Sequence, residues 1–207
     1  MGIRVVPFAV GEYYHLYNRG NSKQTIFHDD QDYRYFMRLL LALNNTKRSK
    51  SRNVRSDVDN GENIISIGSY CLMPNHFHIL VREEKDGGIS LFMQKLLTGY
   101  VMYYNKKYKR TGGLFEGRFK SKYAGEDRYL KYLFSYIHLN PLKIIDKDWK
   151  TKKSQEKYLT FLSNYSYSSY SEYIKDEYSI IKKDAFPDYF PTKSHFLKEI
   201  FVWLSFD

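Results

Sequence analysis

Two histidines flank a single phenylalanine at His76-Phe77-His78, inside an apolar stretch running from Tyr70 to Arg82. Side chains of a β-strand alternate between faces, so His76 and His78 share one face. Phe77, Ile79 and Val81 share the other and can enter a core. Two imidazoles side by side on a rigid strand make half of a metal site, although two buried histidines bonded to structure would leave the same pattern. A second pair lies about sixty residues further on. Tyr136 and Asn140 are four residues apart, on one face of a helix that Pro141 ends. An amide oxygen is a hard ligand that suits Mg²⁺ or Mn²⁺, imidazole is acceptable to such ions, and a substrate phosphate can complete the shell. A divalent metal on His76, His78 and Asn140 would polarise a phosphodiester as a Lewis acid. The Tyr136 phenol could then attack phosphorus, leaving a covalent phosphotyrosine and a free 3′-hydroxyl, with the bond energy kept for later rejoining. Tyrosine ionises near pH ~10, so a neighbouring cation helps it act as a nucleophile.

Three neighbours compete for these roles. Tyr132 lies one turn before Tyr136 on a similar face, but only Tyr136 has an amide four residues later at the helix end. His138 is two residues from Tyr136, faces elsewhere, and reads as structural. His15 lies on an aromatic-rich strand without a matching ligand pattern, and reads as a strand-face residue. The same histidines with water as the nucleophile would make a metal-dependent nuclease without a covalent step.

The elements that must position these groups follow from periodicity. Glu12 to Asn18 reads as a strand, ended by Asn18-Arg19-Gly20-Asn21. Asp29 and Asp30 can cap a helix over 30–44, where Tyr33, Phe36, Met37, Leu40 and Leu41 recur at helical spacing. Residues 46–62 form a polar insert with a basic run, Lys47 to Arg52. A strand over 63–72, a turn at Met73-Pro74-Asn75 and a strand from His76 to Arg82 make a central hairpin. A helix over 89–108 ends in cations, among them Lys106, Lys107 and Arg110, which suit both the helix C-terminus and phosphate. Strand-like sequence follows from Leu114 to Tyr123, in which Arg118, Lys120 and Lys122 alternate with Phe119, Ser121 and Tyr123. That face is a cationic rail for a nucleic-acid strand, or an edge strand guarded by charge. Asp127 to Leu139 is the helix of Tyr136. The expected organisation is one domain over 1–144, with a 145–207 tail that packs onto it and ends in a helix over 193–206.

The balance of 33 Lys+Arg against 23 Asp+Glu gives a net charge of +10, which attracts phosphate backbones. With 21 tyrosines and 14 phenylalanines, rings are available to stack on unpaired bases. No stretch reaches membrane-spanning length, and the N-terminal residues lack a signal-peptide pattern. The single cysteine, Cys71, allows no disulfide within the chain. A reducing cytoplasm is expected, with nucleoid association when DNA is bound.

In order along the chain stand Tyr13-His15-Tyr17-Asn18-Arg19-Gly20, Met73-Pro74-Asn75-His76-Phe77-His78, Leu114-Phe115-Glu116-Gly117-Arg118-Phe119, Tyr136-Ile137-His138-Leu139-Asn140-Pro141 and Tyr167-Ser168-Ser169-Tyr170. Together they resemble the single-tyrosine HUH transposases, specifically the REP-associated tyrosine transposases and their insertion-sequence relatives, over roughly residues 11–170. The resemblance implies an α+β fold, a ferredoxin-like or RRM-like antiparallel sheet backed by helices. It implies metal ligands at His76, His78 and Asn140, where relatives carry glutamine at the last position, and a nucleophile at Tyr136. It further implies Mg²⁺ or Mn²⁺, nicking of single-stranded DNA at hairpin-associated sites, and a monomer or a homodimer that swaps the tyrosine helix. A non-catalytic RRM-like module that binds single-stranded nucleic acid would share the sheet and the charge, but would tolerate loss of His76 and His78.

Overall fold

The computed structural model describes residues 7–44, 63–151 and 154–205. The basic 46–62 insert lies outside the described residues. The elements run β1 (Tyr13–Arg19), α1 (Asp30–Ala42), β2 (Ile65–Met73), β3 (His76–Glu83), α2 (Gly88–Lys107), β4 (Lys120–Tyr123), α3 (Asp127–Leu139), α4 (Leu142–Ile145), α5 (Gln155–Asn164), α6 (Tyr170–Lys175) and α7 (Lys193–Ser205). Four strands form one antiparallel sheet in the order β2-β3-β1-β4. This β1α1β2β3α2β4 path is the ferredoxin-like arrangement, and the α+β expectation holds.

One face of the sheet is the apolar core. Phe77, Ile79 and Val81 are completely buried there. Phe36 of α1 meets Phe77 at 5.2 Å and Tyr100 of α2 at 5.1 Å between ring centroids. Asp29 caps α1, its Oδ1 accepting the Asp32 amide at 3.1 Å, so the cap falls where the sequence puts it. The strand expected over 114–123 is shorter. Only Lys120–Tyr123 pairs with β1, while Phe115 makes an isolated bridge to Gly20. Gly117, with φ of +76°, turns the chain between them.

The second face carries the histidines and is covered by α3 and the tail. The tail also covers the outer edge of β2. Leu72 donates its amide to the Tyr167 carbonyl, Ser169 to Tyr70, and Lys182 to Ile67. An edge strand with unpaired backbone groups would invite association, and this contact fills it. At Gly68 the ladder slips register, and a Cβ there would approach the Phe186 ring to 2.6 Å. Glycine is the residue that lets the tip of the tail's Phe186 ring come this close to the strand.

Candidate active site

Strand alternation and register assemble the site. His78 pairs with Tyr17 of β1 and His76 with Arg19, while His15 pairs with Lys122 of β4 and Tyr17 with Lys120. His15, His76, His78, Lys120 and Lys122 therefore share one face of the sheet. Helix α3 lies across that face and lowers Tyr136 onto the histidines of its own chain. The Tyr136 ring centroid is 5.6 Å from His78 and 5.9 Å from His15, edge-on to both. Tyr132 points away, against Trp203 of α7 at 5.1 Å. Burial and the neighbouring tyrosines also push its phenol up. Of the two tyrosines, Tyr136 is the one that faces the imidazoles. His138 is fully buried and bonds Ser169 Oγ through Nε2 at 2.7 Å, a structural position as the sequence suggests.

His15 has a closer relation to the site than its sequence context suggests. Its Nε2 lies 2.9 Å from His78 Nδ1, and the two rings stack at 5.0 Å. On the other side, His76 Nδ1 bonds Asn75 Oδ1 at 2.6 Å. Each imidazole of the His-x-His pair thus has its Nδ1 fixed from behind. Burial, then the charge of Lys143 and then Arg19, lowers His76 to about 4. Burial, then Lys122, lowers His15 to about 4. Burial, then His15, His76 and Lys143, holds His78 well below its ordinary value. All three rings are neutral at pH 7.

These features fit a divalent metal in a defined way. Neutral imidazoles held through Nδ1 can offer Nε2, the arrangement that orients metal-binding histidines. Asn140 is buried and its amide is already engaged. Its Nδ2 donates to the Tyr136 carbonyl at 2.8 Å, and its Oδ1 accepts from Lys143 Nζ at 3.0 Å. The second lone pair of that oxygen is the ligand capacity Asn140 retains. Among the described residues no group of three His, Cys, Asp or Glu could hold a metal alone. For such an ion the protein could offer two imidazole nitrogens and one shared amide oxygen, so a substrate phosphate and water would have to complete the shell.

The other cations separate into two sets. Lys120 and Lys122 are exposed on β4, on the histidine face, and Lys122 Nζ lies 4.3 Å from the Tyr129 ring centroid. Arg118 is exposed in the loop just before β4. At the end of α2, Lys106 is exposed and Arg110 donates to the Gly113 carbonyl at 3.1 Å. Lys107 differs from the expectation of a phosphate contact. Its ammonium bridges Asp29 and Asp32, both at 2.7 Å, beside the start of α1. Two carboxylates already satisfy the charge that DNA would use.

A family model described as "Transposase IS200 like" matches residues 11–140. The chain belongs to the IS200-like transposase family. The matched span starts just before β1 and ends at Asn140, so it includes His15, His76, His78, Tyr136 and Asn140 and leaves α4 to α7 outside. No curated protein matches the chain. Among solved structures it is similar to "Structure of the REP associates tyrosine transposase bound to a REP hairpin". That similarity has a TM-score of 0.56 at 12% identity and covers 88% of this chain and 91% of the other. At that identity it speaks for the fold, and it extends the shared fold into the tail. Among the described residues no helix is long and apolar enough to cross a membrane.

Proposed function

We propose that this IS200-like transposase cuts and rejoins single-stranded DNA through a covalent phosphotyrosine on Tyr136. The observation that carries the reading is the Tyr136 ring standing edge-on to His78 at 5.6 Å, on a helix of the same chain. A phenol over two neutral imidazoles has the parts of an in-line displacement. The Tyr136 oxygen attacks phosphorus, the bond from phosphorus to the 3′-oxygen breaks, and that oxygen leaves as a 3′-hydroxyl. Rejoining reverses the step, so no external energy source is required. His76, His78 and the shared oxygen of Asn140 are the residues that would hold Mg²⁺ or Mn²⁺, which supplies Lewis acidity at the scissile phosphate when bound.

The rest of the site orients and charges these parts. Lys143 Nζ lies 5.6 Å from the Tyr136 ring centroid, within reach of a phosphate that Tyr136 would attack. Asn140 Nδ2 ties the end of α3 to the Tyr136 carbonyl. Lys120, Lys122 and Arg118 line the approach for a phosphate backbone, with Lys106 and Arg110 as a second group of cations. The similar solved structure is of a transposase bound to a REP hairpin, and hairpin-bearing single-stranded DNA is the substrate class we propose here. The work of such an enzyme lies in the cytoplasm, at the nucleoid.

The test is a denaturing gel of labelled hairpin DNA incubated with the protein and Mn²⁺. A protease-sensitive shifted band that disappears in Tyr136→Phe, with DNA binding retained, supports the reading. Cleavage without the shifted band points to water as the nucleophile. Binding with no cleavage, unchanged in His78→Ala, points to a binding module.

A further inference from the structure

We propose that a row of rings on α3, completed by Trp203 from the tail, seats the unpaired bases beside the phosphodiester that Tyr136 attacks. The inference rests on the strand-cutting reading above and adds to it a base-stacking site, of which Trp203 lies outside the family-matched residues. Tyr129, Tyr132 and Tyr136 recur at helical spacing along one side of α3. Their ring centroids are 6.2 and 5.7 Å apart in sequence order, tilted by 27° and 34°. The three rings are half-buried, with part of each open to solvent. They form a track that ends at the nucleophile.

Trp203 stands over the middle of this track. Its ring meets Tyr132 at 5.1 Å and 61°, and its Nε1 donates to Glu199 Oε1 at 3.0 Å. Glu199 is paired in turn with Lys131 at 2.9 Å. The indole is thus fixed in orientation by a carboxylate whose charge is already neutralised. Two clefts meet at this point and share Tyr132 and Trp203 as walls. One leads past Tyr136 to Lys143 and Lys150, the other past Tyr129 to Arg128. Lys122 caps the far end of the row over Tyr129. Glu126 is the other acidic residue lining these clefts, so the balance is cationic. Rings in a line flanked by cations suit a single strand, because every base has a face to stack and every nucleotide a phosphate to neutralise.

An alternative is that Trp203 only packs α7 onto α3. An abasic scan separates the two. The full chain is titrated with a labelled DNA hairpin bearing single-stranded arms, each arm nucleotide replaced in turn by an abasic one. The expected result is one position where losing the base weakens binding about tenfold. In Trp203→Leu the same replacement costs less than about twofold, and Trp203→Phe keeps the penalty because it keeps a ring. A penalty of equal size in the parent and in Trp203→Leu overturns the proposal. Should Trp203→Leu not fold, Trp149→Phe leaves Trp203 as the sole tryptophan of the two in the chain. Its emission then falls on binding intact DNA and not on binding the abasic strand, and unchanged emission overturns the seat. Covalent attachment at Tyr136 with a uniform abasic penalty removes this inference alone. A chain that binds no single strand removes the proposed function with it.

Discussion

His15 Nε2 and His78 Nδ1 lie 2.9 Å apart across two neighbouring strands. One of the two nitrogens carries the shared proton, since both rings are neutral at pH 7. With the proton on His78 Nδ1, His15 is the acceptor and the Nε2 of His78 keeps the lone pair that a metal would need. His15 would act through His78, as a positioning residue. Replacing it by phenylalanine removes the acceptor while keeping a ring of similar breadth. The expected outcome is a loss of Mn²⁺ affinity of about tenfold to a hundredfold, as for other groups that orient a ligand. Mn²⁺ titration read by electron paramagnetic resonance measures this directly, without reference to cleavage. His15→Gln, which keeps an acceptor oxygen, should recover part of the affinity. Unchanged affinity in His15→Phe would mean that His78 does not bind the ion.

Burial of neutral imidazoles makes folding stability depend on pH. Burial, then Lys122, lowers His15 to about 4, and burial lowers His138 to about 3. In the unfolded chain both return to about 6.5. As pH falls below about 6.5, the unfolded state takes up protons that the fold refuses, so stability falls until the pH nears 4 for His15 and 3 for His138. It is fully present above about 6.5. Each such histidine contributes a slope of about 1.4 kcal/mol per pH unit in that window. Urea midpoints in EDTA should therefore be flat from pH 8 to 7 and fall steeply from 6 to 4.5. His138→Asn should remove about one proton's worth of that slope.

The alternation rule put Phe77, Ile79 and Val81 in the core and both site histidines on the opposite face, because strand periodicity is a local property. The Asp127–Leu139 helix was legible to the residue, since apolar spacing and Pro141 bound it. His15 was harder to assign. Its partner is set by the register between β1 and β3, and no local signal near His15 carries that information. The partners of Lys107 are hidden from the sequence for a related reason. A cationic helix end suits phosphate and carboxylate alike, and only the packing of α2 against α1 brings Asp29 and Asp32 to it. The Leu114–Phe119 stretch alternates like a strand, yet only its end finds a partner, because Gly117 turns the chain.

Glu172 ties the tail to the sheet. It is buried, and its Oε1 accepts from Tyr70 OH on β2 at 3.1 Å. Its Oε2 accepts the amides of Ser179, Ile180 and Ile181, at 2.7, 3.0 and 3.4 Å. Glu172→Ala leaves those donors unsatisfied, at an expected cost of about 2–3 kcal/mol. The loosened tail also uncovers the edge of β2. A lowered urea midpoint with increased self-association on size-exclusion chromatography is the expected pair of results. A lowered midpoint with unchanged self-association would mean that the edge remains covered.

The two sets of lysines should separate in a salt titration of DNA binding. Lys120 and Lys122 are exposed on the histidine face, so each phosphate contact they make releases a counterion. Neutralising either one to glutamine should reduce the slope of log K against log salt by about 0.7 for a single strand. Lys107→Gln should leave that slope unchanged, because Asp29 and Asp32 already hold the ammonium. Its effect falls on stability instead. Burial would push the Asp32 carboxyl up, but hydrogen bonds from Lys107, Tyr108, the His28 amide and Tyr103 outweigh it and hold the group below its ordinary value. Removing the cation leaves a fully buried carboxylate with neutral donors only. The expected loss is about 2 kcal/mol, below that of a fully buried pair because 21% of the Lys107 side chain stays in water. A reduced salt slope in Lys107→Gln would mean that the ion pair opens to meet the DNA, and the α2 end would then belong to the binding surface.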